Sequence, residues 1–358
     1  MARISTISSP DDPALEDLCR ELALRAAALE EGGRWPRDQW KLCAAAGVPR
    51  WFLPKSHGGF GWSEADQLRG YFRLSAACLT TAFVLTQFAG ACRRIAIAEN
   101  QVAAQSLLED LVSGKTFATV GISHLTTSRR HVGQPVMRAE ERGDTLLLDG
   151  YTPWVTGAIE ADSVVLGATL DDGRQILASL PTHLQGVIRP KPPRLIALTG
   201  SQTGELRCQG VVLERKWLLA GPVENVMSRG DGARTGGLAT SALAAGLSSA
   251  AIDFLGQEAV ARSHLQEATD RFASELQELT SDLLRAAAGE GSASSEDIRA
   301  RANSLALRST QATLAAAKGA GFLADHPAGR WCREALFFLV WSCPQPVLSV
   351  NLCELAGL

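Results

Sequence analysis

The sequence VMRAEERGDTLLLDGYTPWVTG occupies residues 136–157. Val136–Arg142 and Thr145–Leu148 favour extended backbone, and the Gly143-Asp144 pair between them is a short turn of the hairpin type. Trp154-Val155-Thr156 is a further strand candidate. This stretch therefore predicts a β region in the middle of the chain.

The pattern of short strands extends on both sides of this hairpin, from Phe117 to about Leu219. Turn residues such as Asp171-Asp172-Gly173 separate the strands. The other strand candidates are Phe117–Ile122, Ser163–Ala168, Gln175–Leu180, Gly186–Arg189 and Gly204–Leu213. One central β domain accounts for all of them.

Helical periodicity flanks the β region. Leu15, Leu18, Leu22 and Leu29 recur at helical spacing before it, and long amphipathic or small-residue segments follow it. We therefore predict a mainly α chain with a central β domain. Its parts are an N-terminal helical domain (1–116), a middle β-sandwich or barrel (117–220) and a C-terminal four-helix bundle (221–358).

Composition restricts the class of protein. The 358 residues have a formal net charge of −3 and 46% are apolar, which excludes a basic nucleic-acid-binding face and a disordered chain. The eight cysteines form no CxxC pair and no Cys/His cluster with metal-ligand spacing, so we expect free thiols and no metal. Without a signal pattern or an apolar run of membrane-spanning length, we expect a cytoplasmic protein that does not enter a membrane.

Four local motifs, in matching order and at similar spacing, make the chain resemble the acyl-CoA dehydrogenase superfamily. They are Pro54 with Gly58-Gly59-Phe60-Gly61, the strand Phe117–Ser123, the segment Thr145–Gly157, and the turn Ala317–Phe322 followed by Arg330 and Arg333. The resemblance covers nearly the whole chain. It implies FAD as cofactor and the α,β-dehydrogenation of an acyl thioester, in which α-proton removal is coupled to hydride transfer to the flavin.

The resemblance places the flavin ring at the junction of the β domain and the C-terminal helices. Trp154 would pack on the ring, Thr156 would face its N5 edge, and Ser123 would bond its pyrimidine side. An indole beside hydroxyl donors suits a flat ring with a polar edge. The alternative for Trp154 and Thr156 is an ordinary place in a β core.

The resemblance also implies contacts with the FAD diphosphate, which such proteins commonly reach across a subunit interface. Gly319 and Gly321 would let the backbone approach the phosphates closely. A Gly-Ala-Gly sequence is equally typical of a helix C-cap. Arg262 lies near the position of an arginine that grips the cofactor, and the alternative is a solvated arginine at a helix end.

The chain departs from the family pattern where the catalytic glutamate is expected, which makes it a divergent member. Aligning Trp341 with the tyrosine of the family's Tyr-Glu-Gly-Thr loop puts Ser342 at the glutamate and Cys343 at the glycine. Neither is a base of the needed strength without help. His124, which follows the first strand, is the other candidate base because imidazole titrates near neutral pH. Arg234 is the candidate for the CoA side of substrate binding.

Three functions remain open. The chain is an acyl-CoA-dehydrogenase-like enzyme with a replaced base, a flavin-dependent oxygenase or oxidase that needs no glutamate, or a non-catalytic protein that retains the fold. The resemblance also implies a homodimer or homotetramer, a small-molecule substrate such as an acyl-CoA, and an electron-transfer flavoprotein as partner. We expect residues 348–358 to lack the additional helix that many relatives have there.

Overall fold

A computed structural model describes residues 5–126, 135–228 and 237–358. Helices form the first and last parts of these ranges, and one β-sheet lies between them. The prediction of a mainly α chain with a central β domain is therefore confirmed. The proposed domain limits after residues 116 and 220 remain predictions.

In the described chain, five α-helices precede the sheet. They are α1 (Ala14–Gly32), α2 (Arg37–Ala45), α3 (Glu64–Ala77), α4 (Leu79–Ala96) and α5 (Gln101–Val112). Ser63 caps α3 by accepting a hydrogen bond from the Asp66 amide, and Asn100 caps α5 in the same way. α4 carries small and apolar side chains around most of its surface, and it is accordingly buried between neighbouring elements.

Eight strands form one mixed sheet within the described ranges. They are β1 (Ala118–Gly121), β2 (Met137–Arg142), β3 (Thr145–Val155), β4 (Ser163–Thr169), β5 (Gln175–Pro181), β6 (Val187–Ile188), β7 (Gly204–Glu214) and β8 (Leu218–Val223). The order across the sheet is β6-β7-β3-β2-β4-β5-β8, and β1 pairs in parallel with β4. A short helix, α6 (Ser123–Thr126), follows β1.

The hairpin predicted before β3 is present, and Arg142 pairs with Thr145 across its turn. β3 is longer than predicted: it runs without a break to Val155 and joins the two segments that the sequence indicated separately. Its pairing with β7 changes register between Leu148 and Gly150, and Gly150 has a φ of 124°. This irregularity interrupts the alternating pattern, which explains why the sequence indicated two separate strands.

The C-terminal helices are α7 (Leu238–Ala261), α8 (Gln266–Ala287), α9 (Ser295–Ala317), α10 (Pro327–Ala335) and α11 (Gln345–Ala356). α11 shows that the expectation of no helix in residues 348–358 is wrong. Pro344 and Pro346 stand at its start, where proline is compatible with a helix because the first amides need no partner.

α7 also corrects the expectation that no apolar segment reaches membrane-spanning length. By length and composition it is the one helix in the described ranges that could cross a membrane, but 67% of its most apolar window is buried within the protein. Gly246 brings α3 close to it, since a Cβ there would lie 2.3 Å from the Phe72 carbonyl oxygen. α7 thus has the burial of a core helix in the C-terminal bundle.

Candidate functional site

A cavity of about 850 Å³ opens where the sheet meets the helices of both ends of the chain. β1 and β3 contribute Val120 and Trp154 to its lining, and α4 contributes Phe83 and Gln87. The segment after α10 contributes Ser342. A cavity of this volume is typical of sites for small molecules and cofactors.

The three residues predicted to contact a flavin ring all border this cavity: Ser123, Trp154 and Thr156. Trp154 lies near the end of β3 and is 51% exposed, so much of its indole is uncovered. Ser123 begins α6, and its Oγ is buried without a hydrogen-bond partner. Because an unpaired buried hydroxyl costs free energy, these residues fit a planar ligand that accepts a hydrogen bond at its edge.

Thr156 belongs to a row of buried hydroxyls that the sequence analysis missed. Its Oγ1 lies 3.0 Å from Thr203 Oγ1, which in turn lies 2.9 Å from Ser201 Oγ. All three side chains line the cavity. The antiparallel pairing of Val155 with Gly204 brings the two segments together. The sequence signal for this row is the presence of Ser201 and Thr203 shortly before β7. Only the strand pairing shows that these two residues lie beside Thr156.

The residues Leu336–Ser342, named here the rim segment, form one wall of the cavity. Phe337 and Trp341 stack with their ring centroids 5.1 Å apart. Phe83 of α4 meets the Trp341 ring edge-on, with centroids 4.8 Å apart. Aromatic packing of this kind attaches the rim segment to the N-terminal helices.

Arg299 of α9 supports the rim segment from the interior. Its Nη2 donates hydrogen bonds to the carbonyl oxygens of Trp341 at 2.8 Å and of Phe338 at 3.3 Å. Burial lowers the pKa of this guanidinium to about 10, which leaves it charged at neutral pH. Ser342 follows with a φ of 44°, so its side chain reaches the cavity from a restrained backbone.

The other two candidate bases lie outside the cavity lining. His124 is buried with its Nε2 at 2.9 Å from the Gly167 carbonyl oxygen of β4, and burial lowers the pKa of its imidazole. This contact directs Nε2 to the sheet, while Nδ1 is buried without a hydrogen-bond partner. A role of His124 as a base at the flavin stays a prediction. Cys343 is partly buried, and burial raises the pKa of its thiol despite the nearby Arg299 charge, which disfavours a reactive thiolate.

The residues predicted to hold a diphosphate do not join this cavity in the single chain. Arg262 directly follows α7 and pairs with Glu258 of that helix, in agreement with the helix-end alternative. Gly321 is buried, and a Cβ added to it would lie 2.8 Å from a side chain of α9. A Cβ added to Gly319 would meet no atom within 4 Å. Phosphate binding by these glycines across an interface stays a prediction. Arg234 lies outside the described residues.

Positive charge predominates around the cavity. The arginines of the lining are Arg93, Arg94, Arg194 and Arg333. Among residues 5–126, 135–228 and 237–358, the lining has one carboxylate, that of Glu64 in the exposed first turn of α3. The same ranges contain no group of three or more His, Cys, Asp or Glu side chains that could hold a metal ion. The described lining thus favours anion binding over carboxylate-based proton removal.

A buried carboxylate precedes the rim segment. Glu334 of α10 is 3% exposed, and its Oε1 lies 3.5 Å from Arg330 Nε. Burial raises the pKa of Glu334 to about 7; the Arg330 charge opposes this shift, and the Glu30 charge adds to it. Arg333, which lines the cavity, also lowers this pKa by its positive charge. Glu334 therefore takes up a proton near neutral pH.

We expect the variant Glu334→Gln to gain stability relative to the unsubstituted protein as pH rises from about 5 to 7.5. The folded protein binds a proton at Glu334 more tightly than the unfolded chain, so its stability falls as pH rises between the two pKa values. The relative change should be on the order of 2–3 kcal/mol. Urea unfolding at both pH values measures it, and Glu290→Gln, at an exposed position, is the control. Equal pH slopes for Glu334→Gln and the unsubstituted protein would contradict the assignment.

Comparison with known proteins identifies the N-terminal part of the chain. Residues 14–115 match the family model of the acyl-CoA dehydrogenase N-terminal domain. A curated relative, the probable acyl-CoA dehydrogenase YngJ of Bacillus subtilis (strain 168), is 24% identical over 246 residues. This match spans 65% of the chain and 63% of the relative, which is less than two thirds of the relative's length.

Solved structures share the fold over nearly the whole chain. Butyryl-CoA dehydrogenase from Megasphaera elsdenii has a TM-score of 0.82 at 18% identity, covering 96% of this chain and 97% of that one. A glutaryl-CoA dehydrogenase from Mycobacterium smegmatis, in complex with FADH2, has a TM-score of 0.77 at 17% identity, covering 98% and 96%. At these identities the similarity establishes a common fold.

Proposed function

We propose that this chain, which belongs through its N-terminal domain and its fold to the acyl-CoA dehydrogenase superfamily, is an FAD-dependent oxidoreductase that acts on an acyl thioester. The observation that carries the proposal is the meeting of Ser123, Trp154 and Thr156 at one cavity between the sheet and the C-terminal helices. These were the residues that the resemblance assigned to the flavin ring. FAD, when bound, accepts two electrons from the substrate.

The protein's own residues would bind and orient the two ligands. The indole of Trp154 offers a flat apolar surface for the flavin, while Ser123 and the hydroxyl row that begins at Thr156 offer hydrogen bonds to its polar edge. Phe83 and Val340 belong to an apolar part of the lining that would hold an acyl chain and exclude water. The reaction that these groups support is the α,β-dehydrogenation of the acyl chain.

One observation favours a second candidate function, a flavin-dependent oxygenase or oxidase. α,β-Dehydrogenation needs a base for the α-proton. In the described lining the position expected for that base is Ser342, and the lining carboxylate, Glu64, lies in an exposed helical turn. A reaction of reduced flavin with oxygen needs no such base.

The visible spectrum of the purified protein tests both candidates. Flavin absorption that bleaches on anaerobic addition of acyl-CoA supports the dehydrogenase. Flavin that does not bleach, but after chemical reduction is reoxidised rapidly by air with oxygen inserted into the substrate, supports the oxygenase. Protein that carries no flavin and takes none up on reconstitution overturns both and leaves the non-catalytic alternative.

We expect Trp154→Ala to weaken FAD binding by about 10–100-fold, because one aromatic stacking contact contributes ~1–3 kcal/mol. Trp154→Phe should keep most of the affinity. Fluorescence titration of the apoprotein with FAD measures both. Trp217→Ala is the matched control, since Trp217 is partly buried beside β8 and lies outside the cavity lining. If Trp154→Ala and Trp217→Ala bind FAD equally well, Trp154 does not contact the flavin.

The oligomeric state, the location in the cell and the electron acceptor are also part of the proposal. On the basis of the superfamily fold, we infer a homodimer or homotetramer that passes electrons to an electron-transfer flavoprotein. The free cysteines support a cytoplasmic location. Exposed apolar side chains near the C-terminus, Leu352, Leu355 and Leu358, support association between copies. Light scattering of the purified protein measures the number of subunits.

A further inference from the structure

We propose that Ser201 and Thr203 are positioning residues for Thr156, and that the three hydroxyls form a chain whose hydrogen bonds reverse direction when the flavin changes redox state. The inference rests on the proposed function, which places the N5 edge of the flavin against Thr156. It goes beyond that function by giving the whole row of hydroxyls the task of serving both the oxidised and the reduced cofactor.

The three hydroxyls are buried and are bonded to one another. Thr203 Oγ1 lies in the middle, at 3.0 Å from Thr156 Oγ1 and at 2.9 Å from Ser201 Oγ. In the part of the chain that the structure describes, none of the three hydroxyls has another hydrogen-bond partner. Each hydroxyl brings one proton, so three protons serve two bonds. One proton therefore remains for a ligand in the cavity that all three residues line.

The chain has two complete arrangements. In the first, Ser201 donates to Thr203, Thr203 donates to Thr156, and the Thr156 hydroxyl donates into the cavity. In the second, every hydroxyl is turned round, so that Thr156 accepts from the cavity and Ser201 carries the spare proton. The structure permits both, because either oxygen of each pair can be the donor. Each hydroxyl only rotates about its C–O bond, so no O–H bond breaks and no proton leaves the protein.

The two arrangements match the two states of a flavin. N5 of the oxidised ring carries a lone pair and accepts a hydrogen bond, whereas N5 of the reduced ring carries a hydrogen and donates one. When Thr156 accepts from N5, its own buried proton needs an acceptor, since an unpaired buried donor costs free energy. Thr203 is that acceptor, and it passes its own proton on to Ser201. The chain thus keeps Thr156 satisfied in either state.

The backbone around Ser201 is held in place. The Gly157 amide donates to the Ser201 carbonyl oxygen at 3.0 Å, which ties Ser201 to the residue after Thr156. Leu198 and Gln202 stand on either side of Ser201 with left-handed φ angles of 58° and 47°. Residues other than glycine seldom adopt this backbone, and such outliers concentrate at functional sites. The conformation therefore supports a task for Ser201 beyond filling the core.

The midpoint potential of the bound flavin tests the inference. We expect Thr203→Val, which keeps the shape of the side chain, to lower the potential, because the Thr156 proton then has no acceptor when N5 donates. The affinity for reduced FAD should fall about tenfold more than that for oxidised FAD, which is ~30 mV for a two-electron couple. Ser201→Ala should lower the potential by less. Spectroelectrochemistry of the flavin-loaded proteins measures these shifts.

Thr203→Ser should restore the potential, because serine keeps the hydroxyl. The matched control is Thr152→Val: Thr152 is a buried threonine of β3 outside the cavity lining, and its hydroxyl has no hydrogen-bond partner. This control should leave the potential unchanged. Should Thr203→Val not fold, Ser201→Ala carries the same test.

Two results would count against the inference, and they differ in what they say of the proposed function. If Thr203→Val loses affinity for oxidised and reduced FAD equally, the potential stays unchanged and Thr203 has a structural role alone. That result overturns the inference and leaves the proposed function intact. If the unsubstituted protein carries no flavin and takes none up on reconstitution, the proposed function fails and the inference fails with it.

Discussion

Replacing Ser342 by glutamate should increase the rate at which a plain saturated acyl-CoA bleaches the flavin anaerobically by about 10²–10⁴-fold, the usual contribution of a positioned general base. Ser342 lines the cavity, at the position where the resemblance expects the glutamate. Arg299 fixes the preceding backbone through the Trp341 carbonyl. The φ of 44° already carries the penalty of a side chain in the left-handed region, so glutamate adds little new backbone strain.

Ser342→Gln is the matched control, because glutamine has the size of glutamate and no basic carboxylate. It should bleach no faster than the unsubstituted protein. Stopped-flow absorbance measures the rates, after flavin content and circular dichroism have shown that the variants are equally loaded and folded. A fully loaded Ser342→Glu protein that bleaches at the original rate would show that position 342 does not face the reacting carbon.

Gly157→Ala should reduce the free energy of unfolding by about 4 kcal/mol, from a left-handed alanine and from overpacking. Gly157 has a φ of 64°, and a Cβ there would lie 2.5 Å from two ring carbons of Trp35. Trp35 in turn packs edge-on against Phe117, with centroids 4.9 Å apart, so it has little freedom to retreat. Because Gly157 directly follows Thr156, the damage should reach the cavity.

Gly143→Ala separates the two causes. Gly143 has a φ of 58° at the hairpin turn, and nothing lies within 4 Å of a Cβ built there. Gly143→Ala should therefore reduce the free energy of unfolding only by the ~1–2 kcal/mol that a left-handed backbone conformation costs an alanine. Urea unfolding of both variants gives the difference, which isolates the contact with Trp35. If the two variants lose equal stability, the Trp35 indole moves aside without cost, and its contact with position 157 does not contribute to the loss.

Much of the fold could be predicted because its signals are local. The hairpin turn at Gly143-Asp144 and the helical spacing of Leu15, Leu18 and Leu22 each act within a few residues. The full length of β3 could not be predicted, because the irregularity at Gly150 depends on the partner strand. α11 was missed because the family comparison, rather than its own residues, guided that expectation.

The candidate site was predictable where one motif supplied several residues. Trp154 and Thr156 lie at the end of β3 and directly after it, and Ser123 follows β1 by two residues, so the residues that the resemblance named border one cavity. Thr203 could not be assigned, because its contact with Thr156 depends on strand pairing. The direction of the His124 ring could not be predicted for a related reason, because adjacency to Ser123 in the chain does not determine it.

The hydrogen bonds from Arg299 to the rim segment have a consequence for how the protein loses its activity on heating. The guanidinium sits inside the bundle and holds two carbonyl groups of the wall, so opening of the wall alone would break both hydrogen bonds and leave a buried charge with fewer acceptors. We therefore expect the wall to loosen together with α9, so that inactivation on heating follows the melting of the bundle.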